Sequence, residues 1–415
     1  NKKIIFFLNF SMIIFVKNIV ANINVYNDAE KILNKFLLNK ITSYSQYRNF
    51  DFGLSDPYKA VSGLSPYISR GIIKEQYILK KVKENKNTSD KFIQEVLWRS
   101  YWKGWLEMHN KVWLDYKSNV DYQIMKIYKS DLYEIYNNAL KGQTDLEPFD
   151  KWIIQLKKTG YLHNHSRMWF ASIWIHYFGL PWELGANFFY ENLLDADAAS
   201  NTLSWKWVAG IQTLGKKYIA TKENIMKYSL TKYKDFILPK LKDINLDYKT
   251  YEVNKINYNK KAVINKSKKN ALFVLENNLN FNFVKNNLNK ELIVILLRTD
   301  CLSIKKNIVS RKFQDHCNLS FLDLCKKYKI VYKTFDISKS FVELVNYLLN
   351  EHIYYTYSEY IPIGYERDLM MKLILKLNGS KINYTDFLDS FYQDVWNYCD
   401  KGFFQFKKKF NRTYT

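Results

Sequence analysis

LLDADAASNTLSWKW (residues 193–207) sets two aspartates one residue apart, an asparagine four past the second, and two tryptophans flanking a lysine. If the span is helical, Asp197 and Asn201 lie on one face, because residues four apart are neighbours on a helix surface. Asp195, two residues back, points elsewhere unless the backbone turns. On spacing alone, a buried ion pair with helix caps satisfies the pattern.

Working outward, HNHSRM (163–168) brings Arg167, whose planar guanidinium can grip one of these carboxylates with two parallel bonds. Acceptor-only carboxylates beside a donor–acceptor amide also suit a ring that presents N–H and C=O groups, such as a flavin. Trp98, in EVLWRSYW, and Trp207, in SWKWVAG, are either core residues or stacking surfaces for nucleobases. Stacking is worth about 1–3 kcal/mol per base and would help offset the few kcal/mol of extruding a base from a duplex.

The wider composition divides the chain. Ten of eleven tryptophans fall between Trp98 and Trp207, and all four cysteines follow position 300, which marks two domains. The net charge of +23 favours a polyanionic partner, although the lysines also fit a chain generally rich in Lys, Asn, Ile and Tyr. Arginine is scarce: there are eight, and four of them, Arg48, Arg70, Arg99 and Arg167, fall in SYSQYRN, VSGLSPYISRG, EVLWRSYW and HNHSRM. No CxxC pair or ligand spacing points to a metal.

Helical periodicity runs from about 26 to 230. DAEKILNKFLLNKI places Ala29, Ile32, Leu33, Phe36 and Leu37 on one face with Asp28 as a candidate N-cap; Ser89 caps the next long pattern. HSRMWFASIWIHYFG is apolar almost all round, which predicts a buried helix ending at Gly179 and Pro181. Residues 231–270 read as a Lys/Asn-rich linker. Between 271 and 400 the runs ALFVLEN, ELIVILLRT, KIVYKTFD and HIYYTYSE alternate with helical patterns, predicting a parallel α/β sheet of Rossmann-like type. Residues 401–415 read as a basic tail. The first 25 form an apolar extension that imitates a signal peptide; Asn9 and Lys17 break it, and Met12 is a candidate start. The expectation is a soluble, cytoplasmic, nucleoid-associated monomer that does not enter a membrane.

TGYLHNHSRMWFAS followed by LLDADAASNTLSWKWVAG resembles the photolyase/cryptochrome family over its most distinctive segment. SYSQYRN, VSGLSPYISRG, EVLWRSYW and LKGQTDLEPFDKWIIQL follow that family's order and spacing, so the resemblance spans about half the chain. It implies an all-α domain cradling a folded-back FAD. Tyr44, Ser62, Leu64, Ser65, Arg99, Asn164 and Arg167 would line the cofactor cavity, with Arg167 paired to Asp195. Asp195 and Asp197 would meet the isoalloxazine edge, and Asn201 would sit against flavin N5.

The same resemblance implies that Trp98 and Trp207 hold a flipped-out cyclobutane pyrimidine dimer in UV-damaged DNA, single- or double-stranded. Glu95 would hydrogen-bond the lesion, Met168 would pack beside it, and Arg48 would contact the DNA backbone. Trp205 and Trp182 would pass electrons to the photoexcited flavin. Relatives that repair (6-4) photoproducts carry histidines where Asn164 and Met168 stand, so dimer repair is the implied reaction, driven by light through fully reduced FAD. A blue-light photosensor without repair activity is the alternative. Near position 129 the third electron-chain tryptophan is missing; Tyr128 or Trp113 would replace it, or the chain stops short. Val61 replaces a threonine in the phosphate cradle.

HIYYTYSEYIPIGYERDLMMKLILK resembles part of the α/β antenna domain that usually precedes the FAD domain. This implies a permuted order with that domain at the C-terminus; an unrelated α/β domain is the other reading. No residue identifies an antenna chromophore.

Overall fold

The computed structural model describes residues 24–414 except 214, 231, 245, 257, 259–262 and 300–304. The apolar extension through residue 23, with Met12, lies outside the described residues, as does Cys301.

The first described half is helical. The helix Val25–Asn39 begins one turn earlier than Asp28 suggests. Asn24 is its cap, accepting from the backbone N–H of Tyr26, and Asp28 lies in the first turn, where a carboxylate complements the helix dipole. The next long helix, Asp90–Met108, is capped by Ser89, whose hydroxyl accepts from the Phe92 N–H at 3.4 Å. Its buried residues include Phe92, Val96, Leu97, Tyr101 and Gly104, spread around much of the circumference. A helix apolar on several sides must be covered on several sides, and this one is.

HSRMWFASIWIHYFG forms the α-helix Asn164–Ser172, a π-turn over Ile173–Tyr177, and a stop at Gly179 in the left-handed region. Trp152, Trp169, Trp174 and Trp205 are all within 2% of full burial, so most of the tryptophan-rich segment is core.

Among the described residues the second half holds five parallel strands, β1 (Asn270–Leu275), β2 (Leu292–Arg298), β3 (Tyr332–Asp336), β4 (Tyr355–Glu359) and β5 (Asn383–Phe387), ordered β3-β2-β1-β4-β5. Alternation decides what each face meets. Leu272, Val274, Val294 and Leu296 pack on Phe313, Cys317 and Phe321 of the helix Ile308–Lys327. Ala271, Phe273, Ile293 and Ile295 pack on Leu344, Leu348, Leu373 and Leu377 from the helices Val342–Asn350 and Tyr365–Gly379. Burial on both faces gives central strands their continuous apolar run. β5, by contrast, has a half-exposed sequence, Asn-Tyr-Thr-Asp-Phe, that carries no strand signal.

The last residues are not a tail. Ser390–Trp396 and Phe403–Tyr414 are helices laid back on Asp90–Met108. Phe403, Phe406 and Phe410, spaced three and four apart, are all at most 4% exposed. Gly104 permits the contact: a Cβ there would come within 2.6 Å of both Trp396 and Cys399. The basic composition hid a good amphipathic helix.

Candidate cofactor site and nucleic-acid interface

The aspartates of LLDADAASN form a turn between the helices Trp182–Asn192 and Ala198–Ala209. Leu193 and Leu194 are buried and anchor it. Asp195 faces inward, where the Arg167 guanidinium reaches both its oxygens, Nη1 to Oδ2 at 3.1 Å and Nη2 to Oδ1 at 3.0 Å. Burial pushes this carboxyl up, but Arg167 and then Arg99, helped by a hydrogen bond from Ser65, more than offset it, leaving the pKa below the usual carboxylate value. Arg167 is itself fixed by an Nε bond to the Leu162 carbonyl at 2.9 Å.

Asp197 turns the other way and caps the helix Ala198–Ala209, its Oδ1 accepting from the Ser200 N–H at 2.7 Å. Asn201 is buried and donates to the Ala186 carbonyl at 2.7 Å, tying the two helices together. The pattern of ion pair, cap and amide therefore has a structural use for every member.

Ser65, Arg99 and Arg167 thus converge on Asp195. Arg99 Nη1 is buried without a hydrogen-bond partner. A buried charged donor without an acceptor is costly, and the surrounding serine, arginines and aspartate can receive a group carrying both phosphate oxygens and ring N–H and C=O edges. This donor set fits FAD. Ser62 and Leu64 flank the cluster in the preceding loop, with Ser62 Oγ accepting from the Leu64 N–H at 3.4 Å. A cavity of about 310 Å³, within the range of ligand pockets, borders this loop, lined by Phe36, Lys40, Tyr58, Ser62, Gly63 and Pro66 among others. A second, of about 70 Å³, lies beside Asp197. Tyr44 is buried edge-on against Phe36 and Phe92, and burial, then the Glu95 charge, holds its hydroxyl neutral. Asn164 is the exposed first residue of its helix.

The residues expected to meet the lesion or the DNA backbone have partners within the chain. Glu95 accepts from Arg48 at 3.0 Å, so the expected lesion contact and the expected backbone contact form an ion pair. Burial raises the Glu95 carboxyl despite Arg48. Trp98 lies flat on Phe403, with ring centroids 3.6 Å apart and planes 8° apart. Trp207 rests on Tyr218 at 5.8 Å, and Met168 is half-buried one residue beyond Arg167. The helices bearing Trp98 and Trp207 pack on each other.

Trp205 is buried against Phe189 at 5.0 Å and Trp174 at 6.4 Å; a Cβ on Gly185 would come within 2.3 Å of it. Trp182 neighbours Tyr116 at 5.6 Å, which neighbours Trp113 at 5.4 Å. Of the two residues expected to replace a third tryptophan, Trp113 reaches Trp182 through Tyr116, while Tyr128 is 61% exposed and packs on Tyr133. Sequence reading missed Tyr116, though its spacing three past Trp113 signals a shared face. It also missed Phe403.

His163, in the same motif as Arg167, is buried, and burial lowers its pKa to about 4 from the ordinary 6.5. The folded state thus favours the neutral ring. Its contribution is complete above pH 6.5 and is lost as pH falls through about 4. His165 and His176 shift in the same direction for the same first cause. Urea midpoints should fall between pH 6.5 and 4, and His163→Asn should flatten part of that slope; an unchanged slope would count against the buried neutral imidazole.

Residues 92–269 match the family described as the FAD binding domain of DNA photolyase. Similar proteins include the deoxyribodipyrimidine photo-lyase of Buchnera aphidicola (28% identical, covering 49% of this chain and 44% of that one) and that of Streptomyces griseus (31%, covering 37% and 33%). Cryptochrome DASH of Idiomarina loihiensis is 27% identical, covering 41% of this chain and 37% of that one. A solved class III photolyase from Agrobacterium tumefaciens aligns at 24% identity with a TM-score of 0.41, over 49% of this chain and 42% of that one. The chain spans less than half the length of these relatives. Among the described residues no helix is long and apolar enough to cross a membrane. A turn that pairs Asp195 with Arg167, beside a buried Arg99 whose Nη1 has no hydrogen-bond partner, lies within the segment that matches the FAD binding domain of DNA photolyase.

Proposed function

We propose that the chain is a light-driven DNA-repair flavoprotein that splits cyclobutane pyrimidine dimers. The observation that carries this reading is the convergence of Ser65, Arg99, Arg167 and Asp195, with one Arg99 nitrogen left unpartnered. Ser62, Leu64 and Ser65, with Tyr44 and Arg99, would hold the phosphates and ribitol. Asp195, Asp197 and Asn201 would hold the ring edge, with Asn164 and Arg167 completing the cavity. When bound, fully reduced FAD supplies the photoexcited electron that cleaves the dimer.

The protein's own tasks are binding and orientation. Trp98 and Trp207 offer stacking surfaces for the lesion bases, with Met168 beside them. Glu95, whose carboxyl is raised by burial, would hydrogen-bond the lesion. Arg48 leaves Glu95 to reach a phosphate. Trp205 and Trp182 form the inner part of an electron-supply path. The α/β domain is read as a permuted antenna-like domain, a reading supported by its 3-2-1-4-5 parallel order; its chromophore is not assigned. The working context is chromosomal DNA in the cytoplasm, with a monomeric protein.

A second reading, a blue-light photosensor, is favoured by the Trp98–Phe403 stack and the Arg48–Glu95 pair, which occupy the lesion residues internally. A repair assay separates the two. Protein with photoreduced flavin and a dimer-containing oligothymidine should regain thymine absorbance in blue light and not in darkness. Trp98→Ala should keep its flavin and lose repair. A bound, reducible flavin with no recovery in the wild type would move the photosensor reading to first place.

A further inference from the structure

The C-terminal helix Phe403–Tyr414 is anchored where bases are expected to stack. Its inner face seats Phe403 on Trp98, and the Tyr101 hydroxyl donates to the Lys401 carbonyl at 2.7 Å just before it. Lys407 donates to Gln94, the neighbour of Glu95, at 3.3 Å. The outer face is a different surface. Phe404, Lys408 and Arg412 fall four apart, on one stripe, and all three are exposed, Phe404 at 73%. The buried face of this helix is supplied by Phe403, Phe406 and Phe410, so the exposed Phe404 is not needed to seat it. Phe404 also lies 5.7 Å from Phe403, so aromatic rings continue from Trp98 through Phe403 to the surface.

We propose that the stripe Phe404, Lys408 and Arg412 is a binding surface for single-stranded DNA adjoining Trp98. A ring followed by two cations along one line matches a strand in which a base stacks while successive phosphates meet positive charge. The partner is single-stranded because a base stacked on Phe404 must be unpaired; a duplex would offer only its phosphates. The exposed Lys91 and the Arg48–Glu95 pair extend the charged border on the Gln94 side. This surface rests on the repair reading, yet it lies outside the residues that reading assigns.

The test uses the full chain in darkness with a fluorescently labelled undamaged oligothymidine, and with a duplex of equal length, titrated over a range of salt. Phe404→Ala should weaken oligothymidine binding by roughly tenfold, the effect of losing one stacked base, and leave duplex binding within twofold. Lys408→Gln combined with Arg412→Gln should lower the salt slope for the single strand by about 1.4, two contacts at about 0.7 each. All three side chains are exposed, so folding should be untouched; an unchanged thermal midpoint confirms this. If wild type binds oligothymidine and the variants bind it with the same affinity and slope, the surface assignment is wrong and the repair reading stands. If wild type binds neither DNA, the repair reading falls and takes the surface with it.

Discussion

Asp195→Ala should give a folded protein that purifies without flavin. The carboxylate is buried, and both its oxygens lie about 3 Å from Arg167. Removing one partner of a buried pair leaves the other charge uncompensated, at a cost of about 3–5 kcal/mol. Here the loss is sharper, because Arg99 faces the same carboxylate and two guanidinium groups would then confront each other. That cost is a large part of the roughly 5–15 kcal/mol holding a typical domain together, so the urea midpoint should fall along with the ratio of flavin to protein absorbance. Asp195→Asn keeps the shape and one acceptor and should be intermediate. Full flavin occupancy in the alanine variant would remove Asp195 from the cofactor site.

Glu107→Ala should uncouple the two halves. Glu107 lies at the end of the helix Asp90–Met108, 7% exposed. It accepts from the Tyr360 hydroxyl at 2.7 Å and the Ile363 N–H at 2.6 Å, both just beyond β4. Burial pushes its carboxyl up, and Arg367, stacked 4.6 Å over the Tyr360 ring, pulls it back. Alanine would strand a buried N–H and a hydroxyl at about 1–3 kcal/mol each and remove the stronger of the two acids that act on Arg367, leaving Asp386. The expected result is a lower first midpoint and two resolved unfolding steps in place of one. A single transition at the wild-type midpoint would show that other contacts between the halves, such as the ion pairs Lys74–Glu359 and Lys117–Asp368, suffice.

What could be read from the sequence followed from how locally each feature is encoded. β1 and β2 are legible because a strand buried on both faces is written as an unbroken apolar run. β5 is silent because its half-exposed residues have no pattern to show. Arg167 and Asp195 could be paired through the family resemblance, and the structure joins them. The capping by Asn24 escapes sequence reading because Asp28 offers an equally good cap chemistry one turn later. Phe403 could not be placed on Trp98 at all: some 300 residues separate them, and a lysine-rich composition disguises an inward face of three phenylalanines.

The helix Asp90–Met108 has one further consequence, for how the chain comes to exist. Its Tyr101, Gly104 and Glu107 are covered by residues from 360 to 406. During synthesis this helix emerges early, while its cover is still untranslated, so apolar surface waits exposed until residues 360 to 406 have been made. Late, long-range closure of this kind is slow and prone to aggregation. Ribosome-bound intermediates shortened before residue 388 should therefore hold chaperones, and release should come only when the helices Ser390–Trp396 and Phe403–Tyr414 clear the exit tunnel.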